Sequence, residues 1–254
     1  MRDLSPKQAI EYFHLLFLAH LGKQVDRKAV ILKGGCNLRF FMQSIRYSED
    51  IDLDVTFISK ETLQKNVEKI LDSKSFQQSL KASEISIKSW STPKQTETTQ
   101  RWKVVIAQGV RLPLHTKLEF SRRSIDSFHE IAEIDLTLIQ HYKLFPIFVN
   151  HYDINAAIQQ KIDALALRSE TQCRDIFDLY FLFSKPYERK KIKVSEATFK
   201  KAKENALSLT YDYYKAQVVA FLQPDYQTLY DSTRQWEAIQ LKVFEHIEKA
   251  NESH

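Results

Sequence analysis

The sequence predicts an α+β chain, in which a mixed α/β part is followed by an all-helical part. Three observations carry this. Apolar residues with period two, such as Ile51, Leu53 and Val55 set between Asp50, Asp52 and Asp54, occur in short runs that end by Phe120. Beyond Asp153 the apolar residues recur with helical period. With 4 Gly and 6 Pro in 254 residues, helix breakers are scarce enough for long helices.

Each element follows from its own pattern. Ser5-Pro6 is an N-cap with proline at the first helical position, and Ile10, Phe13, Leu16, Phe17, His20 and Leu21 make a helical stripe. AVIL (29–32) reads as a buried strand that ends in a turn at Gly34-Gly35, and CNLRFFMQSI as a short helix. In RYSEDIDLDVTFI the residues Ile51, Leu53, Val55 and Phe57 face one way, and Asp50, Asp52, Asp54 and Thr56 the other. That is a half-buried strand with an acidic face. KETLQKNVEKILDS suits a surface helix. Three strand-like runs follow at 84–90, 101–107 and 114–120, the first two joined by a hairpin-like loop, STPKQTETT. Helical periods then occupy DINAAIQQKIDALALRS, CRDIFDLYFLFSK, 195–207, 210–222 and 225–250, with PYERKKIK (186–193) as a connector. The expected organisation is an α/β part over 1–145 and a helical part over 146–254.

Composition narrows the classes. The longest apolar stretch, YFHLLFLAHL, is too short to span a bilayer and carries His14 and His20, and MRDLSPKQ has no signal-peptide core. Cys36 and Cys173 lack metal-type spacing, and His115, His141 and His151 form no zinc motif, so a reduced, cytoplasmic setting without membrane contact is expected. A net charge of +5 permits a polyanionic partner without requiring one.

The chemistry concentrates in KGGCNLRFFMQSIRYSEDIDLDV (33–55). Like charges on alternate strand positions repel. A solvated surface strand tolerates this; so does a pair of carboxylates sharing a divalent cation, for which oxygen ligands suit Mg²⁺. The Gly-Gly turn offers backbone N–H groups to a phosphate at a helix start. Neither GxxxxGK[ST] nor GxGxxG is present.

Two blocks then fall into one pattern. Gly34, Gly35, Leu38, Arg46, Ser48, Asp50, Ile51, Asp52 and Leu53 give GG…L…R.S.DIDL. Lys161, Ala164, Arg168, Arg174, Asp175, Asp178 and Leu179 give K…A…R…RD..DL, and KLEF (117–120) lies between the blocks. In this order they resemble the AbiEii/AbiGii toxin family of the polymerase-β-like nucleotidyltransferase superfamily, over residues 31–179. The resemblance implies a polymerase-β-like core, a mixed sheet flanked by helices, and a Mg²⁺-dependent transfer of nucleotides from an NTP. It makes Asp50, Asp52 and Glu119 metal ligands and Lys161 a triphosphate ligand. Gly34, Gly35, Cys36, Arg46, Ser48, Arg174 and Asp178 become nucleotide-pocket residues, Arg174 and Asp178 also being spaced for a helix ion pair. Asp54 stands outside the DxD pair and reads as a solvated carboxylate.

Two residues depart from the family pattern. Cys36 stands where Ser or Thr is usual, which favours the backbone N–H over the side chain as the phosphate donor. Glu119 stands where Asp is common, and its longer arm still reaches a metal. The resemblance further implies a toxin of a toxin–antitoxin or phage-defence system, with a cognate antitoxin and tRNA 3′ ends as acceptor. Lys117, Arg122, Arg123 and segment 189–193 are the basic positions suited to RNA, and Tyr211, Tyr213 and Tyr214 can stack on bases. A small-molecule or protein acceptor, or a non-enzymatic nucleotide-binding domain, remains consistent with the residues alone.

Overall fold

A computed structural model describes residues 4–122 and 127–251. They divide into two units, a sheet-bearing one made of residues 4–43 and 47–152 and a helical one made of 44–46 and 153–251.

The sheet-bearing unit opens with α1 (Pro6–Gln24), whose first turn is held by a reciprocal cap: the Ser5 hydroxyl takes the Gln8 N–H, and the Gln8 side chain takes the Ser5 N–H. Strand β1 (Val30–Lys33) runs directly into α2 (Gly34–Phe41), and β2 (Ile51–Val55) follows. Helices α3 (Lys60–Asp72) and α4 (Lys74–Lys81) start at Ser59 and Ser73, each of which accepts a backbone N–H of its own first turn. Next come β3 (Ile85–Gln95), β4 (Thr99–Gln108), β5 (Leu114–Ser121), β6 (His129–Glu133), α5 (Leu136–His141) and β7 (Phe148–Tyr152). The sheet order is β3-β4-β5-β2-β1-β7-β6, with β2–β5 and β1–β7 parallel and the other pairs antiparallel.

Alternation decides which way the strands face. Leu53, Val55, Trp102, Leu118 and Phe120 pack with Phe13 and Phe17 of α1, Leu63 and Val67 of α3, and Phe76 of α4 in one core. Burying each such large side chain contributes about 1.5–3 kcal/mol. The opposite face of β2 therefore carries the aspartates.

Three expectations for the sheet-bearing unit do not hold. The STPKQTETT segment is mostly strand: β3 and β4 extend into it until Gln95 pairs with Gln100, leaving Thr96–Thr98 as the turn. Phe57 lies beyond β2 and is 68% exposed, because the strand has ended before it. The sheet-bearing unit runs through Tyr152 rather than stopping at 145, because β7 pairs with β1 at His151 and Leu32.

The helical unit contains α6 (Ile154–Leu167), α7 (Cys173–Phe183), α8 (Glu196–Ala206), α9 (Tyr211–Gln217), α10 (Pro224–Tyr230) and α11 (Thr233–Asn251). Ile158, Ile162, Leu165, Ile176, Leu179, Phe199, Trp236, Ile239 and Val243 are buried in it. The stretch 210–222 is α9 followed by a 3₁₀ turn at Val219–Phe221, and 225–250 is interrupted between α10 and α11. Tyr214 is buried and stacks on Trp236 at 4.4 Å, so it is core and offers no face to a base. Residues 44–46 join this unit through a bridge between Arg46 and Leu222 and a 3.0 Å bond from the Gln223 N–H to the Ile45 carbonyl. Among the described residues no helix is long and apolar enough to cross a membrane.

Candidate active site

Residues paired across adjacent strands point to the same side of a sheet. Lys33 pairs with Asp52, Asp52 with Glu119, and Glu119 with Arg101. A single row of charge therefore crosses β1, β2, β5 and β4. Asp50 immediately precedes β2, and its Oδ1 accepts the Lys117 backbone N–H at 3.0 Å while its Oδ2 meets Lys117 Nζ at 2.7 Å. Glu119 Oε2 takes Arg101 Nε at 2.7 Å and Nη2 at 2.6 Å. Its partner is thus the residue beside it on β4; Arg122 Nη2 reaches the Ile58 carbonyl at 3.5 Å. Arg123 lies outside the described residues.

Asp54 is not solvated. It is 5% exposed, pairs with Lys33 Nζ at 2.5 Å and accepts the Tyr152 hydroxyl at 2.9 Å. A strand position next to β1 and near β7 gives it neighbours on the same face, which the alternation alone does not reveal.

The glycine turn and the acidic strand meet at one point. Gly34 has φ +67°, and a Cβ there would stand 2.9 Å from Asp52 Oδ2. Both the backbone conformation and the space demand glycine. Lys33, at the N-cap position of α2, makes no side-chain capping bond. The first-turn N–H groups of α2 are thus not capped from that position, the arrangement a phosphate oxygen uses. Gly34→Ala is expected to cost about 1–2 kcal/mol from the left-handed conformation, and to displace the Asp52 carboxylate as well. A thermal melt together with a transfer assay checks this, and a variant with wild-type values for both would show the turn to be tolerant.

Cys36 points inward. It is 1% exposed, and its thiol donates to the Asp50 carbonyl at 3.3 Å, which also accepts the Ser48 hydroxyl at 2.9 Å. Only its backbone remains for a ligand. The Thr116 hydroxyl donates to the Glu49 carbonyl at 2.7 Å, and His14 Nε2 lies 2.7 Å from that hydroxyl oxygen. Thr116 has one hydroxyl proton and directs it to Glu49, so His14 donates from Nε2 and its Nδ1 carries no proton; the single Cys36 thiol proton is shared between that Nδ1 at 3.6 Å and the Asp50 carbonyl. Burial lowers the His14 pKa to about 3, so the ring is neutral, and burial pushes the Cys36 thiol well up. Cys36, Ser48, His14 and Thr116 thus tether the two residues that lead into β2.

Among the described residues no three His, Cys, Asp or Glu side chains stand together closely enough to hold a metal ion. The donor chemistry suits a hard divalent cation all the same. Asp50, Asp52 and Glu119 present only oxygens on one sheet face. Lys117 and Arg101 already place positive charge on two of them, as a metal would.

The helical unit holds a second charged cluster. Arg46 grips Asp178 with two bonds, Nε to Oδ1 at 3.0 Å and Nη2 to Oδ2 at 2.8 Å. Lys161 Nζ lies 2.8 Å from Asp175 Oδ1 and 2.6 Å from Asp178 Oδ2. Arg168 Nε approaches Asp175 Oδ2 at 2.8 Å as an ion pair, without the alignment of a hydrogen bond. Both aspartates are buried. Burial alone would raise the Asp178 pKa, but Arg46 and Lys161 outweigh it and hold the carboxyl at about 2. Asp178 therefore pairs with Arg46 and Lys161, not with Arg174 four residues away. Gly34, Cys36, Ser48, Asp50, Asp52 and Glu119 are brought together within the sheet-bearing unit, and Arg46, Lys161 and Asp178 within the helical one. Lys33, Arg101, His14, Thr116 and Tyr152 were not singled out by sequence reasoning. For Arg101 a signal existed: antiparallel pairing of RWKVVIA with LHTKLEF sets it opposite Glu119.

Comparison with known proteins adds a family and a fold. A sequence profile of the family described as "Nucleotidyl transferase AbiEii toxin, Type IV TA system" matches residues 16–252. The solved structure of JHP933 from Helicobacter pylori is similar at TM-score 0.59 and 19% identity, covering 98% of this chain and 97% of that one. That of MenT4, a nucleotidyltransferase toxin from Mycobacterium tuberculosis, is similar at TM-score 0.64 and 16% identity, covering 96% and 84%. At such identities the two likenesses speak for the fold. No sequence among curated proteins matches the chain.

Proposed function

The chain belongs to the AbiEii nucleotidyltransferase toxin family, and from that premise we propose that it is a Mg²⁺-dependent enzyme that adds nucleotides from an NTP to an RNA acceptor, the 3′ end of tRNA. The observation that carries the reading is the row in which Asp52 and Glu119 stand side by side, with Asp52 against the Gly34 turn.

In this reading Asp50 and Asp52 hold the metal, and Glu119 is the third carboxylate. Bound Mg²⁺ supplies charge stabilisation for the triphosphate during an in-line displacement that releases pyrophosphate. The N–H groups of Gly34 and Gly35 take phosphate oxygens at the start of α2. Glu119 accepts the proton of the attacking hydroxyl, whose oxygen bonds to the α-phosphorus as the bond to the β-phosphate oxygen breaks. Ser48 and Cys36 position Asp50 through its carbonyl, while Lys161, engaged by Asp175 and Asp178 within the helical unit, meets a triphosphate in this reading only by releasing one of those carboxylates. The antitoxin partner follows from the type IV toxin–antitoxin description of the family. A cytoplasmic location fits an enzyme that takes NTP and tRNA as substrates.

The test is to incubate the protein with Mg²⁺, each labelled nucleotide and total RNA, and to find which RNA gains label. Label is expected at tRNA 3′ ends. Exposed Arg189, Lys190 and Lys191 offer phosphate contacts. RNA affinity should accordingly fall with salt, by a log–log slope of about −0.7 per phosphate contacted on a single strand. A flat salt dependence with no labelled RNA would move the reading to a small-molecule acceptor.

A further inference from the structure

The acidic face is already neutralised by the chain itself. Lys117 donates to Asp50 twice, from its backbone N–H and from Nζ, so backbone and ammonium grip the same carboxylate. Arg101 closes on Glu119 with two nitrogens at 2.7 and 2.6 Å. Arg101 faces Glu119 in register from the neighbouring strand, and Lys117 lies one residue before Leu118, the partner of Ile51, next to Asp50, so sheet pairing brings both cations to their carboxylates. Both pairs are partly open to solvent, with side-chain exposures of 41% and 23% for Lys117 and Asp50, and 34% and 24% for Arg101 and Glu119. A charged ligand can therefore reach and exchange them.

We propose that Lys117 and Arg101 are resident counter-cations that hold the metal-binding carboxylates until a nucleotide displaces them, so that divalent metal enters with the nucleotide and hardly at all on its own. A free metal ion must detach Lys117 from Asp50 and leave the ammonium without an anion. A metal–nucleotide complex brings a triphosphate, and its oxygens offer the released ammonium and guanidinium new partners. Metal and nucleotide then raise each other's affinity, a coupling that is reciprocal by linkage. Lys117 and Arg101 are positioning residues in this account. The inference rests on the metal assignment of Asp50 and Asp52 made above.

The test reads metal binding rather than turnover. Mn²⁺ alone is titrated into the full-length protein, and free Mn²⁺ is followed by its paramagnetic resonance signal, for the wild type, Lys117→Met, Arg101→Met and Lys117→Met/Asp52→Asn. The titration is repeated with a non-hydrolysable NTP analogue. Lys117→Met should bind free Mn²⁺ about three- to tenfold more tightly than the wild type, and the gain from adding the analogue should shrink. The added affinity should vanish in the double variant. Free-Mn²⁺ affinity that is unchanged or weaker in both single variants, with melting curves showing them folded, would overturn the inference and leave the metal assignment standing. Tight binding that survives in the double variant would overturn the metal assignment, and the inference with it. Should Lys117→Met not fold, the same comparison is read from Arg101→Met.

Discussion

Asp52→Asn is expected to remove nucleotide transfer, by more than about a hundredfold, while the melting temperature stays near that of the wild type. The amide is isosteric, but it offers one oxygen and no negative charge to a metal. Losses of 10–100-fold are typical even for residues that only orient metal ligands, so a ligand itself should exceed them. The fold should tolerate the change because the face does not depend on this one charge. Asp50, Asp54 and Glu119 are each paired with a cation already. For the same reason little repulsion is left for the substitution to relieve, and a clear stabilisation is not expected. Initial rates on labelled NTP and a calorimetric melt together check this. A variant with normal turnover would remove the carboxylate row from the chemistry.

Lys161→Ala is expected to show its largest effect in stability. The ammonium sits between Asp175 and Asp178, both buried, and its own side chain is 10% exposed. Removing one member of a buried ion network costs about 3–5 kcal/mol, because the remaining charges stay buried with fewer partners. Urea unfolding should show this as a lower midpoint. Asp175 should suffer most, since its other ion partner, Arg168, is 42% exposed and poorly aligned, whereas Asp178 keeps the two-bond grip of Arg46. Nucleotide affinity must then be compared in Lys161→Arg, which keeps the charge in the cluster. An unchanged midpoint for the alanine variant would mean that the network contributes nothing to the fold.

Legibility in the sequence followed the physics of each element. The strand IDLDV was readable because one face is apolar and the other charged, and the helices after Asp153 because their stripes have period 3.6. Strand β6, HEIAE, was not: it is an edge strand with no buried apolar face. Strand β7, FVNHY, was missed because Val149, Asn150, His151 and Tyr152 are all buried and alternation disappears. Helix α4 buries only Phe76 and Leu80, too little for a stripe. Of the candidate site, the Gly34 turn, Asp50 and Asp52 were legible from motif and spacing, and Glu119 only through the family resemblance. Asp54 was not, since Lys33 and Tyr152 meet it only through the sheet. The pairing of Arg46 with Asp178 spans 132 residues, a distance at which no local pattern operates.

That same pairing has a consequence for synthesis. Residues 44–46 belong to the helical unit, yet the ribosome delivers them amid the sheet-bearing one. At about 5–20 residues per second, Arg46 emerges roughly 7–26 seconds before Asp178, which lies 132 residues later. During that interval the nascent chain carries a guanidinium whose carboxylate does not yet exist. A chain that stops before residue 178 leaves Arg46 without the Asp178 anchor.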